Sequence, residues 1–301
     1  MIFKNFDEMI GHVKAKPAAK KMVVAVAGDE HTLEAVMKAK NEGIIEPILV
    51  GDKKIIVGAL NNLGESCPDE SIFDFKDDKE ACEKSVALVR EGKADFLMKG
   101  KVDTKVILKE VVNKEHGLGK GGVMSHFTIF EVPTYHKLIV VVDGGMVPYP
   151  TLEQKKAIIE NSVSTLVDMG YENPKVGVLA CAEKVNPKMP ETIDADALKQ
   201  MNINGEIKNC VVEGPISFDC AWSKEVAEFK GYKSEVSGDV DVLVVPNIHA
   251  GNILGKSLIF AANGNMAGFI VGAKCPIVLT SRGSSPEEKY LSIAVSAAAA
   301  N

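Results

Sequence analysis

"VDVLVVPNIHAGNILGKSLIF", residues 240–260, decides how this chain is read. It opens with a near-continuous apolar, β-branched run, as expected of a strand covered on both faces. The run breaks at Pro246-Asn247, and helical spacing follows. Strand, loop, helix is the repeating unit of an α/β protein.

The same alternation extends in both directions. Strand-like runs include "MVVAVAG" (22–28), "EPILVG" (46–51), "ADFLMKG" (94–100), "HFTIFEV" (126–132), "KLIVVVDGG" (137–145), "KVGVLA" (175–180), "KNCVVEG" (208–214), "GFIVGA" (268–273) and "PIVLTS" (276–281). Amphipathic stretches separate many of them. "DEHTLEAVMKAKNEG" (29–43) starts acidic and stops at glycine, and "DDKEACEKSVALVREG" (77–92) does the same. "TLEQKKAIIENSVSTLVDMG" (151–170) opens as a capping box from Thr151 to Gln154.

With 301 residues there is room for two domains with sizeable cores. The expected fold is two doubly wound α/β domains with a cleft between them. The Pro-containing link "EVPTYHK" (131–137) is the expected seam. A C-terminal strand pair returns to the first domain, which then covers 1–133 plus 265–301; the second covers 134–264.

The net charge of -6, with no basic block, excludes a nucleic-acid surface. Six scattered cysteines without C-x-x-C form neither a disulfide framework nor a zinc ribbon, so a reducing compartment is expected. "MIFKNFDEMIGHVKAK" carries acids and is not a signal peptide, and no apolar run approaches a membrane span. A cytoplasmic protein without a membrane partner is the expectation. The six histidines lack ligand spacing, so no metal is expected.

In doubly wound sheets, ligands bind beyond the carboxyl ends of strands. Five loops therefore matter. "DGGMVPYPTLEQK" places Asp143 at a strand end. "GPISFDCA" offers Gly214-Pro215 for a tight turn and Asp219 as a helix cap. In residues 251–257 a phosphate-cradling G-x-x-x-x-G-K-[ST] loop is one residue short, so a nucleoside-triphosphate loop is rejected. A smaller anion on Asn247, Asn252 and the helix amides stays open, against a plain capped helix with Lys256 in solvent. "GLGKGG" (117–122) follows a helix and precedes a strand, the reverse of a dinucleotide loop.

The fifth loop is "PIVLTSRGSSPEEKY" (276–290). Pro286 and the two glutamates suit a helix start. Arg282 is one of only two arginines among 35 basic residues. Its planar fork grips a phosphate by two parallel bonds, which lysine does not do.

Taken together, "GVMSHFTIFEVP", "VDGGMVPYPTLEQK", "AEKVNPKMPETIDA", "GPISFDCA", "PNIHAGNILGKSL" and "VLTSRGSS" resemble the phosphate acetyl/butyryl transferases, closest to the butyryl branch. The resemblance covers nearly the whole chain. It implies a fold like the isocitrate and isopropylmalate dehydrogenases, homo-oligomers, no metal and no permanently bound cofactor. Coenzyme A, as acyl-CoA, and phosphate are the implied substrates. It implies catalytic roles for Ser281 and Arg282. Glu288 matches the family's proposed base, with glutamate in place of aspartate. Candidate phosphate and coenzyme A contacts are Ser125, Asp143, Gly214, Pro215, Asn247, Gly251, Asn252, Lys256, Gly283 and Ser284. The apolar approach Ile277-Val278-Leu279 suits an acyl chain longer than acetyl. Rival readings are an acetyl-CoA enzyme, a metal-dependent dehydrogenase of the same fold, a P-loop-like kinase and a non-catalytic acyl-CoA sensor. A cysteine acyl-enzyme, through Cys181 rather than Cys275, is the mechanistic rival.

Overall fold

The structure is a computed structural model and describes residues 2–280 and 283–300, so Ser281 and Arg282 lie outside the described residues. The chain forms two compact units. One comprises Asp7–Gly122 and Ala267–Asn301; the other comprises Met1–Phe6 and Val123–Met266.

In the first unit, β1 (Lys20–Ala25) pairs in parallel with β2 (Ile45–Gly51) on one side and β4 (Phe96–Lys99) on the other. β3 (Ile72–Asp74) extends the sheet beyond β2, and β11 (Ile277–Val278) joins β4 in parallel. β10 (Asn265–Val271) runs antiparallel to β11, so the C-terminal strand pair does return to this unit. Met22–Ala25 and Phe96–Met98 are wholly buried, as their unbroken apolar runs require. α2 (Glu30–Asn41) packs on α11 (Pro286–Ala299), and α4 (Asp78–Arg90) packs on α5 (Thr104–Val111).

In the second unit, β6 (Ile139–Val142), β9 (Val242–Val244), β7 (Lys175–Leu179) and β8 (Val211–Ile216) run parallel in that order. β5 (Ser125–Glu131) is antiparallel to β6. The link "EVPTYHK" therefore turns a strand pair inside this unit rather than marking its border. Tyr135 in that link is buried and donates its hydroxyl to the Val240 carbonyl at 2.8 Å. The observed borders fall at 122/123 and 266/267, against an expected 133/134 and 264/265.

α6 (Leu152–Asp168) and α7 (Pro190–Ile203) pack together. α8 (Phe218–Trp222), α9 (Lys224–Phe229) and α10 (Ile248–Phe260) share a separate core with Leu179, Ile216, Leu243 and Val245. Helices thus cover both faces of the sheet. No helix among the described residues is long and apolar enough to cross a membrane.

Candidate functional site

In the first unit the chain leaves β1 toward β2, while β4 lies on β1's other side. The ends of β1 and β4 therefore form a topological switch point, where α/β sheets bind ligands. A cavity of ≈ 530 Å³ opens there. Lys99, Lys101 and Lys289 bring three cations to it, Asp29, Asp78 and Asp103 bring three carboxylates, and Thr32 and Thr280 also line it.

The loops around this cavity are pressed together. Gly100 donates its amide to the Ala25 carbonyl at 2.8 Å, and Lys101 donates to Val26 at 2.9 Å. A Cβ on Gly100 would lie 2.3 Å from the Val26 carbonyl oxygen. Val26 itself has φ 58°, a costly conformation for a β-branched residue. Lys99 is 6% exposed and donates Nζ to the carbonyls of Gly100 and Val102. Asp29 caps α2 and accepts from the Thr32 amide and hydroxyl. Burial raises the Asp29 pKa, but those bonds and the Lys289 charge win and hold it below the ordinary value.

Thr280, the residue before Ser281, is a wall of this cavity. Beyond Arg282 the chain enters α11 through Ser285, whose hydroxyl accepts from the Glu288 amide at 3.1 Å. Ser284 is buried and donates its hydroxyl to Glu288 at 2.5 Å, while Lys289 donates to the Ser284 carbonyl at 2.9 Å. Two side chains of α11 thus hold Ser284 at the entry to the helix. Lys99, Lys101 and Lys289 were missed in the sequence. The available signal was a lysine closing the apolar run "ADFLMKG".

The second unit gathers another part of the set. Asp143, at the end of β6, is 2% exposed. Its carboxylate accepts four backbone N–H groups, from Gly145 and Met146 at 2.8 Å, His126 at 3.1 Å and Val147 at 3.2 Å. That saturation makes it the organiser of the 143–147 loop. His126 lies over this loop, since a Cβ on Gly145 would come within 2.7 Å of its Nδ1. Burial lowers the His126 pKa against the pull of the Asp143 charge. Ser125 is wholly buried, and its hydroxyl has no hydrogen-bond partner among the described residues.

Gly251, Asn252 and Lys256 belong to α10 itself, not to a loop before it. Asn247 caps that helix by accepting from the Ala250 amide at 3.1 Å. A Cβ on Gly251 would meet Gly144 Cα at 2.8 Å and Val245 at 2.9 Å, and one on Gly255 would meet the Phe130 ring at 3.1 Å. The Gly-x-x-x-Gly spacing is thus a packing stripe against the β5 and β6 ends. Asn252 and Lys256 point to solvent. Gly214 and Pro215 lie inside β8 rather than in a turn after it, and Gly214 packs under Ala195 of α7.

One further sequence reading and one cluster that the sequence did not suggest are placed by geometry. Cys275 is buried, and burial pushes its thiol up to about 12, which disfavours the thiolate a nucleophile needs. Glu183, Asp219 and Cys220 bring three potential metal-ligand atoms within 4.8 Å. Lys230 spans the two carboxylates at 2.9 and 2.8 Å and offsets one of their two charges.

A switch-point cavity lined by charged side chains defines an α/β protein with a candidate site at the carboxyl ends of its strands. A family model described as phosphate acetyl/butaryl transferase matches residues 76–297. The chain belongs to this family. It is 44% identical over 296 residues to the phosphate butyryltransferase of Clostridium acetobutylicum, covering 98% of each chain. It is 42% identical over 283 residues to the phosphate acetyltransferase of Thermotoga maritima, covering 94% of this chain and 96% of that one. The crystal structure of a branched-chain phosphotransacylase from Enterococcus faecalis matches with TM-score 0.81 and 31% identity, over 94% of this chain and 100% of that one.

Proposed function

We propose that the protein moves a short-chain acyl group, butyryl foremost, between coenzyme A and inorganic phosphate, forming acyl phosphate and free coenzyme A. The observation that carries this is the lysine-lined cavity of the first unit, walled by the residue that precedes Ser281-Arg282. Phosphate is held there by Arg282 and the lysines. A phosphate oxygen attacks the thioester carbonyl. Ser281 and nearby amides stabilise the oxyanion. The carbon–sulfur bond then breaks, and coenzyme A leaves as thiolate.

At neutral pH phosphate is already anionic, so Glu288 contributes modestly as base and most of the rate comes from positioning two anions. Ser284 and Glu288 are hydrogen-bonded to each other at the start of α11. Asn247 and Asn252 are the second unit's candidate contacts for coenzyme A, whereas Ser125 is wholly buried and lies out of a substrate's reach. The reading includes a cytoplasmic homo-oligomer working without metal or resident cofactor, in keeping with six unpaired cysteines. A second reading, acetyl-CoA as main substrate, is supported by the identity to the Thermotoga maritima enzyme.

The test is phosphate-dependent release of free thiol from acetyl-, butyryl- and branched acyl-CoA by purified protein without added metal. Release that needs phosphate and favours the four-carbon chain is expected. Release favouring acetyl-CoA would put the second reading first. No release with any of the three would overturn both.

A further inference from the structure

The cavity of the first unit carries acids as well as bases among its described lining residues: Asp29, Asp78 and Asp103 stand against Lys99, Lys101 and Lys289. A plain anion trap would use cations and amides alone, since a carboxylate beside a bound anion repels it. An ionised carboxylate has no hydrogen of its own and only accepts. It favours a neighbouring anion on one condition, that the anion brings an O–H to donate.

The three acids are not equivalent. Asp78, in the first turn of α4, and Asp103, at the N-cap of α5, are exposed and free to turn toward water. Asp29 is half-buried and fixed. Its Oδ2 accepts both the amide and the hydroxyl of Thr32, at 3.0 and 2.5 Å, and Thr32 is itself buried. Its Oδ1 has no hydrogen-bond partner among the described residues. Burial opposes ionisation, but the Thr32 bonds and the Lys289 charge prevail, so the group is ionised at neutral pH.

We infer that Asp29 is a specificity-determining residue of the phosphate site, its Oδ1 accepting a hydrogen bond from a P–OH group and turning away anions without one. The inference rests on the phosphate acyltransferase reading, which puts phosphate in this cavity. Inorganic phosphate keeps an O–H group at neutral pH. Sulfate is a tetrahedral dianion of nearly the same size and keeps none. Charge and shape do not separate sulfate from the hydrogen phosphate dianion; the hydrogen does. Asp29 gains a charge-assisted bond from phosphate and meets sulfate with repulsion alone, a difference of about tenfold or more in affinity. Arsenate carries the same O–H group and passes the same filter.

The test compares phosphate, arsenate and sulfate at neutral pH in the wild type and in Asp29→Asn. Asparagine still caps α2, its oxygen taking the Thr32 bonds, and presents N–H in place of oxygen to the anion. Phosphate-dependent thiol release gives the phosphate KM and the sulfate inhibition constant. Calorimetric titration of the purified protein with each anion gives affinities without turnover. The wild type should bind phosphate and arsenate at least about tenfold more tightly than sulfate. In Asp29→Asn that preference should shrink by about tenfold, chiefly through tighter sulfate binding. Sulfate binding as tight as phosphate binding in the wild type would overturn the inference whether or not the variant folds. An unchanged preference in folded Asp29→Asn, or an equal loss of both anions, would make Asp29 a helix cap alone and overturn it too. Those outcomes leave the acyltransferase reading standing. Absence of phosphate-dependent thiol release in the wild type would remove that reading, and the inference with it.

Discussion

Arg282 and Arg90 are the two guanidiniums of a lysine-rich chain. Arg90 is exposed and donates to the His116 carbonyl at 3.0 Å, a structural contact between the end of α4 and a loop. Arg282 follows the cavity wall at Thr280 and precedes a turn held by Glu288 and Lys289. A charged, bidentate grip on phosphate is worth about 1.5–3 kcal/mol more than a poorly aligned one. Arg282→Lys keeps the charge and loses the fork. It should raise the KM for phosphate about tenfold or more, with the KM for acyl-CoA little changed. Steady-state kinetics at varied phosphate check this, and unchanged phosphate saturation would take Arg282 out of the site.

At the scale of elements, helix boundaries follow local chemistry. The Thr151–Gln154 capping box forms in both directions, with the Gln154 amide donating to the Thr151 hydroxyl and the Thr151 amide to the Gln154 side chain. Gly43, Gly92 and Gly170 follow α2, α4 and α6 at φ 75°, 69° and 94°, where a side chain would be strained. Gly251 is different, because its constraint is a neighbouring backbone. Gly251→Ala should destabilise the second unit by about 1–3 kcal/mol, since Gly144 cannot withdraw without dragging the Asp143 loop. Gly255→Ala should cost less, because the edge of the Phe130 ring can rotate away. Urea unfolding of the two variants separates these outcomes.

At the scale of the molecule, the amino ends of β6, β7 and β9 are tied by charge, away from the ligand-binding ends. Lys137 is 2% exposed and meets Asp239 at 2.8 Å and Asp241 at 2.6 Å, while Lys175 meets Asp239 at 2.6 Å. Burial acts to raise the Asp239 pKa, but bonds from Lys137, Lys175 and His136 prevail and hold it well below the carboxylate range. Lys230 and Ser217 hold Asp219 down to about 2. A carboxyl depressed on folding adds stability above its unfolded value, near 3.9, and loses it as pH falls through the folded value. Stability should therefore drop steeply between pH of about 4 and 2. Asp239→Asn should flatten part of that slope in acid titrations followed by circular dichroism. A slope identical to wild type would show that the Lys137 cluster does not act through Asp239.

Strands, helix caps and α/β alternation were legible in the sequence because each is encoded by residues within a turn or two of one another. "VDVLVVPN" is covered on both faces wherever it is placed, and Thr151 caps its helix whatever lies beside it. The motif set "VDGGMVPYPTLEQK", "GPISFDCA" and "VLTSRGSS" carried the family. Only the tertiary structure decided that β5 pairs with β6, that Gly251 and Gly255 are a packing stripe, and that Asp143 is saturated by its own loop. Lys99 and Lys289 meet at one cavity although 190 positions separate them. Cavity walls come from distant segments, and strand order, which no local pattern encodes, brings them together.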